Sequence, residues 1–255
     1  MFAKLLKYEL KSLGKWYLAL NASVFVVSLF LGFSIRSFDQ YAQETYQFNA
    51  NHLMQLIPVI LSLIFGLLIA GSLIATLLII IRRFYLSLFG REGYLTLTLP
   101  VSTHQLLLSK LLTAFLWSVF NALVLLISIV LLLIPITGLG NFLAWLPKLF
   151  AYIPISYYLS IGTSLITSTI SGILLLYLAI TIGQLFANRR IMMGIVAYFL
   201  ITILLMIISE LFTGAFTYST FDISLFHYTI IENLIDSIVF YALTYYLLKY
   251  KVNIQ

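Results

Sequence analysis

The sequence predicts an all-α protein threaded six times through a membrane. Hydrophobic residues make up 62% of the chain and charged ones only 9%, mean hydropathy is +1.09, and soluble globular domains do not reach such values. Apolar runs at about 16–35, 53–81, 111–136, 156–186, 191–209 and 231–248 each supply the roughly 20 residues that a helix needs to cross the hydrocarbon core. Residues 1–255 therefore form a single transmembrane domain with little room for a soluble one.

Charge gives the threading. Loops alternate sides, and Lys and Arg favour the cytoplasmic one. One set of segments holds Lys4, Lys7, Lys11, Lys15, Arg82, Arg83, Arg91, Lys110, Arg189, Arg190, Lys249 and Lys251, whereas the other holds only Arg36 and Lys148. Both termini of this multi-pass membrane protein are expected in the cytoplasm. Asp39, Glu44, Glu210, Asp222 and Glu232 then fall outside. The net charge of +6 does not indicate nucleic acid, because the placement of the cations matters more than their sum. With no Cys, disulfides and thiolate metal sites are excluded.

Residues 2–15 come first and are too short to span. At helical spacing Lys4, Lys7, Lys11 and Lys15 share one arc and Phe2, Leu5, Leu6, Leu10 and Leu13 the opposite one, the pattern of an interfacial amphipathic helix at anionic headgroups. Glu9 breaks it, with no cation three or four residues away. It either snorkels to water or anchors the helix by pairing with Arg82, Arg83, Arg189 or Arg190. The run that follows lacks a small-x-small cleavage site, which disfavours a signal peptide. The sequon at Asn21-Ala22-Ser23 lies inside that run and has no meaning for glycosylation.

Arg36–His52 is the most polar stretch and is expected to be an exposed outer loop. In the second run Ser62, Gly66 and Ala70 form a small-xxx-small seam that permits close helix approach. The fourth run carries Ser156, Ser160, Ser164, Ser168 and Gly172 at the same spacing, beside Thr163, Thr167 and Ser171. Either intrachain packing or the lining of a hydrated path accounts for such a lane, with Ser164 and Ser168 the path candidates. Ile136–Pro154, with Trp145, Tyr152, Gly138, Gly140 and Pro147, is expected to be an interfacial belt. Ser209–Ile230 is too aromatic for a solvated loop and suggests a re-entrant extracellular pair. Glu232 and Asp236 open the last run, where the positive end of the helix dipole favours carboxylates. Alternatively Asp236, sharing a face with Asn233, Ser237, Tyr241, Thr244 and Tyr245, points into a polar interior and belongs to the translocation path.

Catalytic signatures are missing. The sequence has no phosphate-binding loop, no HExxH and no GxSxG elbow. His52, His104 and His227 lie in three different segments, an arrangement that does not suggest a shared metal site. The chain is expected not to be an enzyme and to bind no cofactor itself.

Between the second and third runs lies Arg82–Lys110, RRFYLSLFGREGYLTLTLPVSTHQLLLSK. Arg82 and Arg83 mark the cytoplasmic surface. Phe84/Leu88 and Tyr85/Phe89 pair at helical spacing before Gly90 and Gly93 interrupt, which suggests a short helix presenting aromatic residues to a protein groove. Tyr94–Leu99 alternates until Pro100 stops it. Ser102-Thr103-His104-Gln105 is a capping box that starts the helix running into the third span. An ordinary interfacial loop is the plain alternative.

The E-G-Y-L-x-x-T-L-P-V-S…Q-L-L-x-S-K run within this segment, together with six spans and an amphipathic N-terminal helix, resembles permease subunits of bacterial ABC exporters of the second class. The motif covers only about residues 82–110, and the topological likeness, though it covers the whole chain, is generic. The resemblance implies that the 2–3 segment is a coupling helix seated in a separate ATPase, with Phe84, Tyr85, Leu88, Phe89, Arg91, Glu92 and Tyr94 as the contact residues. It implies two ATPase subunits carrying ATP and Mg, a second permease subunit, identical or homologous, and export of an amphipathic or hydrophobic substrate such as an antimicrobial peptide. Two rivals stay open: a secondary carrier or channel using Asp236, and a non-transporting sensor partner in a peptide-resistance system.

Overall fold

In the computed structural model, which describes residues 15–44, 52–90, 102–152, 154–186, 188–213 and 223–251, the apolar runs are helices and no strand occurs among the described residues. The helices are α1 (Lys15–Glu44), α2 (His52–Phe89), α3 (Thr103–Thr137), α4 (Leu139–Tyr152), α5 (Ile155–Gly183), α6 (Arg190–Thr213) and α7 (Ile223–Tyr250). Six of them, all but α4, are long and apolar enough to cross a membrane. The chain is an all-α polytopic membrane protein.

Three expectations change. The polar stretch after Arg36 is not a loop at its start, because α1 continues to Glu44. Phe84–Phe89 is not a separate short helix but the last turns of α2. Arg82 and Arg83 end the apolar run without ending the helix, since arginine is a strong helix former and its charge stops the lipid, not the hydrogen-bond ladder. The expected belt at Ile136–Pro154 contains a fourteen-residue helix, α4. Gly138 makes it possible: its φ of +79° is a left-handed conformation that glycine adopts without strain. Its N–H closes α3 on the Ile134 carbonyl at 3.0 Å, and its own carbonyl accepts from Phe142 N at 2.9 Å. The amphipathic segment 2–15 with Glu9 lies outside the described residues, apart from Lys15, as does most of the tip of the expected re-entrant pair, residues 214–222. The flanks of that pair belong to α6 and α7.

The chain divides into two compact units. One draws on residues 11–78 and 116–153, thus α1, most of α2, the later part of α3, and α4. Its interior is polar in places. Tyr17 Oη and Thr76 Oγ1 share a hydrogen bond of 2.8 Å. Asn121 Nδ2 reaches both Tyr17 Oη at 3.5 Å and Asn21 Oδ1 at 3.4 Å, and Asn21 Nδ2 donates to the Tyr17 carbonyl at 3.0 Å. All four side chains are buried, so each group finds its partner in protein where lipid offers none. Further along α1, a Cβ on Gly32 would stand 2.6 Å from the Leu132 carbonyl oxygen. One turn on, Arg36 donates to the Pro135 carbonyl at 3.3 Å, satisfying one of the last carbonyls of α3.

The other unit holds residues 79–115 and 154–255 with the end of α2, the start of α3, and α5, α6 and α7. Helix α5 is its centre: 44% of an 18-residue apolar stretch of it is buried, against 6% of the matching stretch of α6. The core gathers Ile80, Phe84 and Leu88 from α2, Leu106, Leu107 and Ala114 from α3, Ile173–Leu175, Tyr177 and Leu178 from α5, and Phe240 from α7. Helices α5 and α6 form a hairpin closed by glycine. A Cβ on Gly183 would lie 2.6 Å from Arg190 O and 2.8 Å from Gly194 Cα. Arg189, at φ 59°, turns the chain into α6.

Candidate functional site

The end of α2 and the first turns of α3 are both held by one residue that sequence reasoning did not single out. Phe84, entirely buried, stacks on Tyr177 of α5 with ring centroids 3.8 Å apart and planes 8° from parallel. The Tyr177 hydroxyl donates to the Lys110 carbonyl at 3.0 Å. Tyr177 thus holds the stretch of α2 that precedes the connection and the stretch of α3 that follows it. Leu88, 2% exposed, lies one turn beyond Phe84 in the same core.

This revises the expected contact surface. Phe84 and Leu88 do not present their side chains outward; they fill the chain's own core, because their i, i+4 spacing aims both at α5. Tyr85, Leu86 and Phe89 remain accessible in whole or part, with Phe89 edge-on to Phe84 at 6.2 Å. Gly90 closes the helix, its N–H donating to the Leu86 carbonyl at 3.2 Å. Arg91, Glu92 and Tyr94 lie outside the described residues. On the far side of the connection, Ser102 accepts the Gln105 backbone N–H at 3.3 Å, and α3 begins at Thr103. That is the N-cap half of the expected capping box.

Next to this clasp lies a groove of about 490 Å³ lined by His104 of α3, Leu174 of α5, and Leu234, Ser237, Ile238, Tyr241, Ala242 and Tyr245 of α7. His104 Nδ1 shares a hydrogen bond with the Tyr241 hydroxyl, and its ring rests 4.7 Å from that of Tyr245. Lys249 follows one turn later. Its ammonium donates to Tyr245 Oη at 3.3 Å and sits over the rings of Tyr245 and Tyr250 at 5.5 and 5.2 Å.

The residues considered for a translocation path are distributed differently. Asn233 and Asp236 are half-buried on α7, next to the groove-lining Leu234 and Ser237. Asn233 Nδ2 donates to the Thr229 carbonyl at 2.8 Å, and Ser237 Oγ to the Asn233 carbonyl at 2.7 Å. On α5, Ser164 and Ser168 donate to the Ile161 and Leu165 carbonyls at 3.0 and 3.1 Å. Their donors are spent on their own helix, leaving only acceptor lone pairs outward. The lane itself is split: Ser160 and Ser171 are buried, whereas Ser156, Ser168 and Gly172 are exposed. Neither Ser164 nor Ser168 lines the groove.

Two features escaped sequence reasoning. The Tyr17–Asn21–Thr76–Asn121 cluster left a signal, since Asn21 and Asn121 are isolated amides inside apolar runs. His104 left none, because its partners lie more than a hundred positions away. Comparison with models of protein families, with curated proteins and with solved structures returned no match.

Proposed function

We propose that this chain is the membrane subunit of an ATP-driven exporter, coupling hydrolysis on a separate ABC ATPase to export of an amphipathic or hydrophobic substrate of the antimicrobial-peptide kind. The resemblance of the REGYLTLTLPVSTHQLLLSK run to ABC-exporter permeases motivates the reading. The observation that carries it further is the Tyr177 clasp. A coupling element must pass force into the spans, and the 2–3 connection leaves from and returns to two helix ends held on the most buried helix of its unit.

The roles divide accordingly. Phe84 and Leu88 are positioning residues that keep the end of α2 rigid. Tyr85 and Phe89, with Arg91, Glu92 and Tyr94, form the surface offered to the ATPase. Each transporter contains two ATPases, which bind ATP and Mg, and a second permease protomer.

The test is whether a gene beside this one encodes an ABC ATPase, and whether that ATPase is captured by the chain after co-expression. Tyr85→Asp combined with Glu92→Arg is expected to lower co-purification on the order of tenfold or more, the weight of a buried aromatic contact and a reversed charge, while membrane levels of the chain stay unchanged. Undiminished capture would sink the assignment of this surface.

A further inference from the structure

We infer that the groove along α7 holds one acyl chain of an anionic phospholipid from the surrounding leaflet, with its headgroup at Tyr245 and Lys249. The inference rests on the groove alone and stands whether or not the chain is an exporter. The walls are apolar: Leu174 forms the floor, Leu234, Ile238 and Ala242 one flank. Ile238 is 69% exposed, so the groove opens to the side, where lipid is, instead of enclosing a soluble ligand. From Leu234 to Tyr245 it runs about 16 Å at the helical rise. That is roughly half of a 30 Å hydrocarbon core, the depth of one leaflet and too short for a path across both.

Most of its polar groups gather at one end; Ser237, nearer the other, spends its proton on the Asn233 carbonyl. His104 and Tyr241 satisfy one another. Tyr245 Oη accepts from Lys249 and keeps its own proton to donate. Lys249 is exposed, with its ammonium over two aromatic rings. A phosphate there accepts a hydrogen bond from the tyrosine and meets the ammonium charge, at the end of α7 where a cation also complements the helix dipole. A zwitterionic headgroup brings its own cation to the same place and loses that advantage.

The full chain, purified in a neutral detergent, is to be incubated with phosphatidylglycerol or phosphatidylcholine of identical chains, and retained lipid counted by native mass spectrometry. The expected result is one retained phosphatidylglycerol, favoured about fivefold over phosphatidylcholine, the weight of a single lysine beside an anionic headgroup. Lys249→Gln, which keeps a polar side chain but removes the charge, abolishes the preference. Ala242→Phe fills the groove and lowers retention of both lipids on the order of tenfold. Equal retention of the two lipids by the unaltered chain, or unchanged retention by both variants, overturns the inference. So does efficient disulfide dimerisation of Ile238→Cys in an otherwise cysteine-free chain, which would mean that a second copy covers the groove.

Discussion

At Gly183 there is no space for a methyl group. The atoms that a Cβ would meet are backbone, Arg190 O at 2.6 Å and Gly194 Cα at 2.8 Å, and backbone cannot swing aside as a side-chain tip can. Gly183→Ala is expected to cost about 1–3 kcal/mol through overpacking, more than the gain of roughly 1 kcal/mol that alanine brings inside a helix. Thermal unfolding in detergent should register the loss, and an unchanged midpoint would disprove the close approach. The same scale shows how differently neighbouring residues were legible. Phe84 and Tyr85 are adjacent aromatics of equal apparent merit as contact residues. One turns into the core against Tyr177 and the other remains partly accessible, a difference set by 100° of helical rotation and by where α5 stands.

Among the elements, α3 shows most directly how a local signal becomes a helix start. Ser102 is the last residue before the helix, and its hydroxyl takes up the Gln105 amide, one of the four N–H groups that a helix start leaves unpaired. Ser102→Ala is expected to loosen the first turn by about 1 kcal/mol. Faster deuterium uptake over 103–107 would report it, and Ser102→Asp should restore protection; equal uptake in all three forms would mean that the cap is idle. This start was readable because capping is local. The extent of α2 and the presence of α4 were not. Nothing in Arg82-Arg83 says whether a helix stops or merely leaves the lipid, and a stretch with two glycines and a proline contains a helix only because Gly138 takes the left-handed turn that frees the residues after it.

For the molecule as a whole, threading follows from charge. The positive-inside distribution predicts α4 outside and the turn between α5 and α6 inside. Because the chain has no cysteine, single substitutions report this cleanly. A membrane-impermeant maleimide applied to intact cells should label Asn141→Cys, and should label Asn188→Cys only after permeabilisation; both positions are exposed. The reverse pattern would invert the topology and move the 2–3 connection away from any cytoplasmic ATPase.

What the sequence by itself determined is the material: six helices long and apolar enough to span. That follows from transfer free energy summed along the chain, which needs no knowledge of neighbours. The tertiary structure alone decided which faces meet. Lipid is as apolar as leucine, so a helix apolar all round carries no mark of the side turned to protein. Only the packing of α2, α3 and α7 on α5 brings Phe84 onto Tyr177, Tyr177 onto Lys110 and His104 onto Tyr241. With those contacts, the end of α2 and the start of α3 are held on α5 beside a groove.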